Sequence, residues 1–337
     1  MKCPTCNGNC VLPAESVLDE LFGIYMACGS CPPDPLFNKN TPFKEHIDKN
    51  SGRCPNCKKR HIDYVIGNVL SLLKEKGFFP GDASLREVGT PLIAVGFQIP
   101  YPPRLGEDSL VLVMDSVTGE LAADIVRTVP EIKGVIKRKG SQSQSIGILD
   151  TGSTPHTYEM LAGCDMRCDI VASSFGELCI YKNQSKIHIE FNNTKIAKIE
   201  ELYFKGELDN SSVVDGFCGP GTLGLLAALG GAKKVIFNDA WLPAVRNTIL
   251  NINANSGILG LKMELETPDY DTLIGDEPVL LAKAGGTSEI LVYHGDIKKL
   301  KSAVDGCDIC IIDTFPSVNP AVFIHHCREI AKKVVVI

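Results

Sequence analysis

Val213-Val214-Asp215-Gly216-Phe217-Cys218-Gly219-Pro220-Gly221-Thr222-Leu223-Gly224 is the stretch that decides how this chain folds. The β-branched pair reads as the end of a buried strand, Asp215 as its last residue, and the glycines as a tight turn opening an apolar helix through Leu229. Such a turn brings backbone N–H groups and a helix N-terminus up to a ligand, where Cβ atoms would obstruct the approach. Working outward, Lys234–Asn238, Glu289–His294, Asp308–Ile312 and Lys333–Ile337 are further short apolar runs, separated by helical segments. With Ser212–Phe217 they give five candidate strands whose spacing fits βαβ units and a parallel sheet.

Gly219-x-Gly221-x-x-Gly224 alone is shared by dinucleotide enzymes and methyltransferases, and Asp239 after the second strand suits a ribose hydroxyl in either. Three features separate them. Asp215 sits four residues before the first glycine of the motif, where a carboxylate reaches the amino group of a methionine moiety and would repel a pyrophosphate. The turn begins only after the extension Gly216-Phe217-Cys218, whereas a dinucleotide turn begins at the strand end. Asp296, in His294-Gly295-Asp296, suits an adenine amino group, and Asp313-Thr314-Phe315-Pro316 closes the fourth strand. The competing readings are local: Asp215 as a turn cap, Asp239 as a helix N-cap, and Asp296 as a cap before a Lys-rich helix.

The 337 residues, 44% hydrophobic and 22% charged, exclude disorder, collagen and coiled coil, and suggest about two domains plus a small module. No apolar run approaches the ~18 residues of a membrane span, and Met1-Lys2-Cys3-Pro4 opens no secretory signal, so a cytoplasmic protein is expected. Residues 1–62 form the module. Seven of the 14 Cys lie there, six pairing as Cys3-x-x-Cys6, Cys28-x-x-Cys31 and Cys54-x-x-Cys57. Thiol pairs in so small a segment point to metal, with zinc in up to two tetrahedral sites as the first reading; Cys10, His46 and His61 are spare ligands. An iron–sulfur cluster or free redox thiols are the alternatives. The seven later cysteines, dispersed singly, read as small buried hydrophobes. Residues 63–205 read as an α+β region and 206–337 as the Rossmann-like domain. The net charge is −6, of which residues 206–337 carry −5 from 11 Lys+Arg and 16 Asp+Glu. That excludes a strongly basic nucleic-acid binder.

The Asp215–Gly221 loop and Asp313-Thr314-Phe315-Pro316 resemble the DxFxGxG loop and the post-strand-four tetrapeptide of class I S-adenosylmethionine-dependent methyltransferases. More narrowly, Val129-Pro130-Glu131-Ile132-Lys133-Gly134-Val135 followed by Tyr158-Glu159-Met160-Leu161-Ala162-Gly163 is similar to the tRNA guanine-N1-methyltransferase and wybutosine-synthesis transferase family. So are Asn238-Asp239 and Asn251-Ile252-Asn253-Ala254-Asn255. The resemblance covers about residues 125 to 330. It implies a sheet of order 3-2-1-4-5, S-adenosylmethionine held by Asp215, Phe217, Gly219, Gly221, Asp239 and Asp296, and an acceptor met by Asp313, Phe315 and Pro316. It also implies a tRNA or other structured RNA partner, contacted through Lys58, Lys59, Arg60, Lys133, Lys137, Arg138 and Lys139. A small planar metabolite, a protein acceptor, or a non-catalytic metal-dependent binding protein on the same fold remain as alternatives. Two departures stand out: Asp313-Thr314-Phe315-Pro316 replaces the family's NLP or NPP, and Lys195 stands closest to its pre-core Arg. The usual sixth and seventh strands are expected to be absent or supplied by the middle region.

Overall fold

A computed structural model describes residues 1–139, 146, 156–188, 193–267, 269–315 and 318–337. Pro316 lies outside the described residues.

The N-terminal part is loop punctuated by α1 (Ala14–Glu20) and a two-residue β1 (Arg60–His61). The helix α2 (Ile62–Glu75) follows, capped by the His61 ring, whose Nδ1 accepts from the Asp63 N–H at 3.1 Å. Next come β2 (Thr90–Ile93), β3 (Val95–Gly96), β4 (Arg104–Leu105), β5 (Leu110–Met114), α3 (Gly119–Thr128), β6 (Ile132–Lys137) and β7 (Glu159–Gly163). A four-stranded sheet of order β2-β5-β6-β7 buries Leu110, Leu112 and Val135 in one core with Val65, Val69 and Leu73 of α2 and Ile125 of α3. β8 (Met166–Ser173) and β9 (Gly176–Asn183) form a hairpin, with β3 at its edge, and α4 (Asn193–Phe204) follows.

The remaining chain is β10 (Ser212–Asp215), α5 (Thr222–Leu229), β11 (Lys234–Asp239), α6 (Leu242–Ala254), α7 (Ser256–Leu259), β12 (Leu261–Leu265), β13 (Val279–Gly286), β14 (Glu289–His294), β15 (Cys307–Ile312), α8 (Ala321–Arg328) and β16 (Ala331–Val336). Its sheet runs β12-β13-β14-β11-β10-β15-β16. The five expected strands are all parallel and stand in the order 3-2-1-4-5. The uninterrupted strand–helix alternation expected here is corrected by the hairpin β12–β13, antiparallel on the β14 edge. Leu261-Lys262-Met263-Glu264-Leu265 alternates because one of its faces meets water, a weaker signal than the all-apolar central strands. Among the described residues, the middle region supplies none of the seven strands.

Three asparagines one turn apart, two on α6 and the third its C-cap, hold the β8–β9 hairpin against this sheet. Asn247, Asn251 and Asn255 accept through Oδ1 from the N–H groups of Asn183, Tyr181 and Cys179, at 3.0, 2.7 and 2.9 Å. Asn251 and Asn255 also donate through Nδ2 to the carbonyls of Tyr181 and Cys179. Each of these two amides thus pairs with the strand edge as a backbone would, satisfying buried groups that would otherwise cost ~1–3 kcal/mol each.

Candidate active site and cysteine centres

The glycine turn is built from a backbone that only glycine adopts readily. Gly219 and Gly221 have φ of +51° and +86°, and Gly221 is the N-cap of α5. Asp215, 1% exposed, lies beneath the turn and accepts the Gly224 N–H through Oδ2 at 2.9 Å. Its Oδ1 has no hydrogen-bond partner among the described residues. Burial, with a smaller contribution from the nearby carboxylates of Asp313 and Asp239, pushes its carboxyl up to about 7. Asp239 accepts from the Gly219 and Trp241 N–H groups at 3.0 and 2.8 Å, and burial pushes it up to about 6. Asn238, buried at the end of β11, donates to the carbonyls of Gly216 and Gly295, and its Oδ1 is likewise without a partner among the described residues. Asp296 caps the turn after β14, accepting the Lys298 N–H at 3.0 Å.

These strand ends open on a cleft of ≈1620 Å³, larger than the ~300–1,000 Å³ that encloses one small ligand. Phe217, Gly219, Asp239, Asp296, Asp313 and Phe315 line it; Asp215 and Gly221 stand behind that wall. On the far side the middle region contributes Lys186, His188 and Lys195. Lys195, at the start of α4, meets Asp313 at the end of β15 with Nζ–O distances of 2.7 and 2.8 Å, both side chains largely buried. The Phe315 ring stands edge-on to His188, centroids 5.9 Å apart. Deeper along that wall, Arg167 donates to Ile93 O, Gln184 and Asp169, and Lys182 pairs with Asp169 at 3.2 Å. The sequence reading did not place Asn238, His188 or this Arg167–Asp169–Lys182 group at the site. Asn238 carried a signal in standing beside Asp239; the others come from elements whose facing direction no local pattern reveals.

Eight of the 14 cysteines fall into two groups of four: Cys3, Cys6, Cys10 and Cys164, and Cys28, Cys31, Cys54 and Cys57. Cys10 thus joins a group, while His46 and His61 belong to neither. Cys164 corrects the reading of the later cysteines as buried hydrophobes, since it is the fourth thiol of the first group. Donors of this type in fours suit zinc. The clusters of basic residues also need correction. Arg60 is fully buried and pairs with Glu131 at 2.8 Å, beside a second pair from Arg53. Lys133 is 8% exposed and donates to Met166 O, and Lys59 donates to Gly23 O. Both arginines and the lysine at 133 face inward because each neutralises or satisfies a buried acceptor. Lys58 and Lys139 are exposed, and Arg138 pairs with Asp115.

No protein-family model matches the chain, and no curated protein matches its sequence. The fold is the class I methyltransferase fold. Its marks are the 3-2-1-4-5 order, the glycine turn after the first strand, and acids at the strand ends. Among solved structures, the chain is similar to Trm5b from Pyrococcus abyssi (16% identity, 66% of this chain and 54% of that one, TM-score 0.37). It is also similar to the tRNA m1G37 methyltransferase of M. jannaschii (18%, 66% and 53%, 0.37) and to TYW2 from P. horikoshii in complex with MeSAdo (19%, 67% and 66%, 0.37). The chain spans a little over half the length of the first two. Likeness at this level adds nothing to the strand order and the site, which carry the fold assignment. Among the described residues no helix is long and apolar enough to cross a membrane.

Proposed function

We propose that the chain is an S-adenosylmethionine-dependent methyltransferase acting on a planar acceptor, and that its three parts are residues 1–62, 63–205 and 206–337. The observation that carries this reading is the pair of orphaned oxygens, Asp215 Oδ1 and Asn238 Oδ1, beside two carboxyls pushed up to about 7 and 6. Buried acceptors without donors mark a place made for a cationic, donor-rich ligand. A dinucleotide would bring pyrophosphate charge to the same spot. S-adenosylmethionine, when bound, supplies a sulfonium methyl that is already reactive; Asp215, Phe217, Gly219, Gly221, Asn238, Asp239 and Asp296 would hold it.

The chain's own residues would then orient the acceptor and manage its proton. Asp313 is suited to accept a proton or hydrogen bond from the acceptor, and the Lys195 ammonium holds the carboxylate in place. Phe315 and His188 offer an edge and a face to a planar ring. The resemblance of Val129–Val135 and Tyr158–Gly163 favours a base of structured RNA, tRNA first. The burial of Arg60 and Lys133 favours a small planar metabolite as the second reading, because two of the expected phosphate contacts are spent inside the fold. Incubating the protein with methyl-labelled cofactor and either unmodified tRNA or a small-molecule extract decides between them. Label in neither fraction, together with calorimetric binding of NADH and none of S-adenosylmethionine, would refute the methyltransferase reading.

A further inference from the structure

None of the eight cysteines in the two groups lines the cleft, and the geometry of both groups is specific. Within each, the four sulfurs lie within 4.8 Å of one another. Contacts in the first group are 3.6 Å for Cys3–Cys164, 3.7 Å for Cys6–Cys10 and 3.8 Å for Cys10–Cys164. In the second they are 3.5 Å for Cys28–Cys54, 3.7 Å for Cys28–Cys31 and 3.6 Å for Cys31–Cys57. Four sulfurs held ~2.3 Å from one tetrahedral ion stand ~3.8 Å apart along each edge. Thiolates spread over the separate irons of a cluster stand farther apart, because each binds its own metal atom.

The backbone repeats the same device twice. In Cys3-Pro4-Thr5-Cys6, the Cys3 N–H donates to Gly8 O and the Asn7 N–H to Cys3 O; in Cys54-Pro55-Asn56-Cys57, the Cys54 N–H donates to Lys59 O and the Lys58 N–H to Cys54 O. Asn7 and Lys58 occupy the same place in the two turns, with φ of +56° and +62°. A left-handed Lys is unfavourable, and an ion holding the two preceding thiolates in place offsets that cost. The buried Lys133 adjoins the first group, its carbonyl accepting the Cys164 N–H at 2.9 Å. A cation there opposes the net negative charge that four thiolates leave on a divalent ion.

We propose that the chain holds two mononuclear zinc ions, each bound by four thiolates, and that the first joins the N-terminus to the wall of the cleft through Cys164. Binding releases the thiol protons to solvent. Cys164 stands between β7 and β8, two residues before the strand that carries Arg167 and Asp169 into the cleft lining. Thr5, inside the first turn, donates to Asp165 Oδ1 at 3.0 Å, while Asp165 Oδ2 accepts the Ser185 N–H at 2.8 Å. The ion therefore fixes the entry of the strand that shapes the acceptor side.

Elemental analysis of the full chain should give two zinc per chain with no acid-labile sulfide. Cys164→Ser and Cys57→Ser should each give one, the double variant none, and Cys307→Ala, outside both groups, two. Should Cys164→Ser fail to fold, cobalt(II) titration of the unaltered chain decides: two equivalents, each with the intense visible bands of tetrahedral thiolate coordination, support the proposal. One metal per chain, iron with sulfide, or Cys164→Ser retaining two zinc would overturn it.

Discussion

Cofactor affinity should rise steeply with pH, and the structure fixes by how much. Asp215 and Asp239, pushed up to about 7 and 6, are partly protonated near neutrality, whereas a free Asp carboxyl titrates near ~3.9. The sign follows from linkage. A carboxyl with a raised folded value favours the empty fold at low pH, and that contribution is lost as pH climbs through 6 and 7. A cationic ligand requires the ionised forms, so it drives the protons off. Between pH 8 and pH 6 the dissociation constant should rise about tenfold through Asp215 and about twofold through Asp239, together ~20-fold or ~1.8 kcal/mol. Calorimetry with S-adenosylmethionine at pH 6.5, in two buffers of different ionisation enthalpy, should register release of about one proton. Asp215→Asn should flatten the pH response to about twofold and weaken binding at pH 8 by roughly 10- to 150-fold, the loss of a charged contact of ~1.5–3 kcal/mol. An affinity flat from pH 6 to 8 with no proton released would refute the assignment of these carboxyls to the ligand.

Asp313→Ala should lower turnover by roughly 10²-fold or more while cofactor affinity moves less than about twofold, read by single-turnover transfer and calorimetry. Lys195→Met should lower turnover while cofactor affinity moves less than about twofold, because Asp313 loses the cation that holds its carboxylate in place. Gly224→Ala should lower the melting temperature with a cost of ~1–3 kcal/mol, since a Cβ there overlaps the Phe237 ring where α5 crosses β11. Arg60→Met strands Glu131 beside Arg53 alone and should cost ~3–5 kcal/mol in denaturant unfolding, against ~0.5 kcal/mol or less for the exposed Lys58→Glu.

The parallel sheet and the glycine turn were legible in the sequence because each rests on local pattern, whereas the strand order was available only through the family resemblance. Val213-Val214 and Ile309–Ile312 are apolar on both faces, as central strands must be. Asp215, Asp239 and Asp313 stand at strand ends, where such sheets collect their ligand groups. Lys195 was noticed only as the neighbour of a missing Arg. That it pairs with Asp313, 118 residues away, depends on how α4 meets the sheet. The β12–β13 hairpin escaped because its half-exposed strands alternate weakly. The basic clusters misled because charge count says nothing about direction: Arg60 and Lys133 turn inward to acceptors from distant segments.

What the sequence by itself determined, then, is everything that periodicity and adjacency encode: five central strands, a turn that only glycine accommodates, acids at strand ends, and thiols paired two residues apart. What only the tertiary structure decided are the pairings across long stretches of chain. These are Cys164 with Cys3, Lys195 with Asp313, His188 with Phe315, and the α6 asparagines with the β9 edge. The physical reason is that a hydrogen-bonded turn or a hydrophobic stripe is specified by neighbours in the chain. A thiol or an ammonium carries no mark of its partner until packing brings the two within a few ångströms.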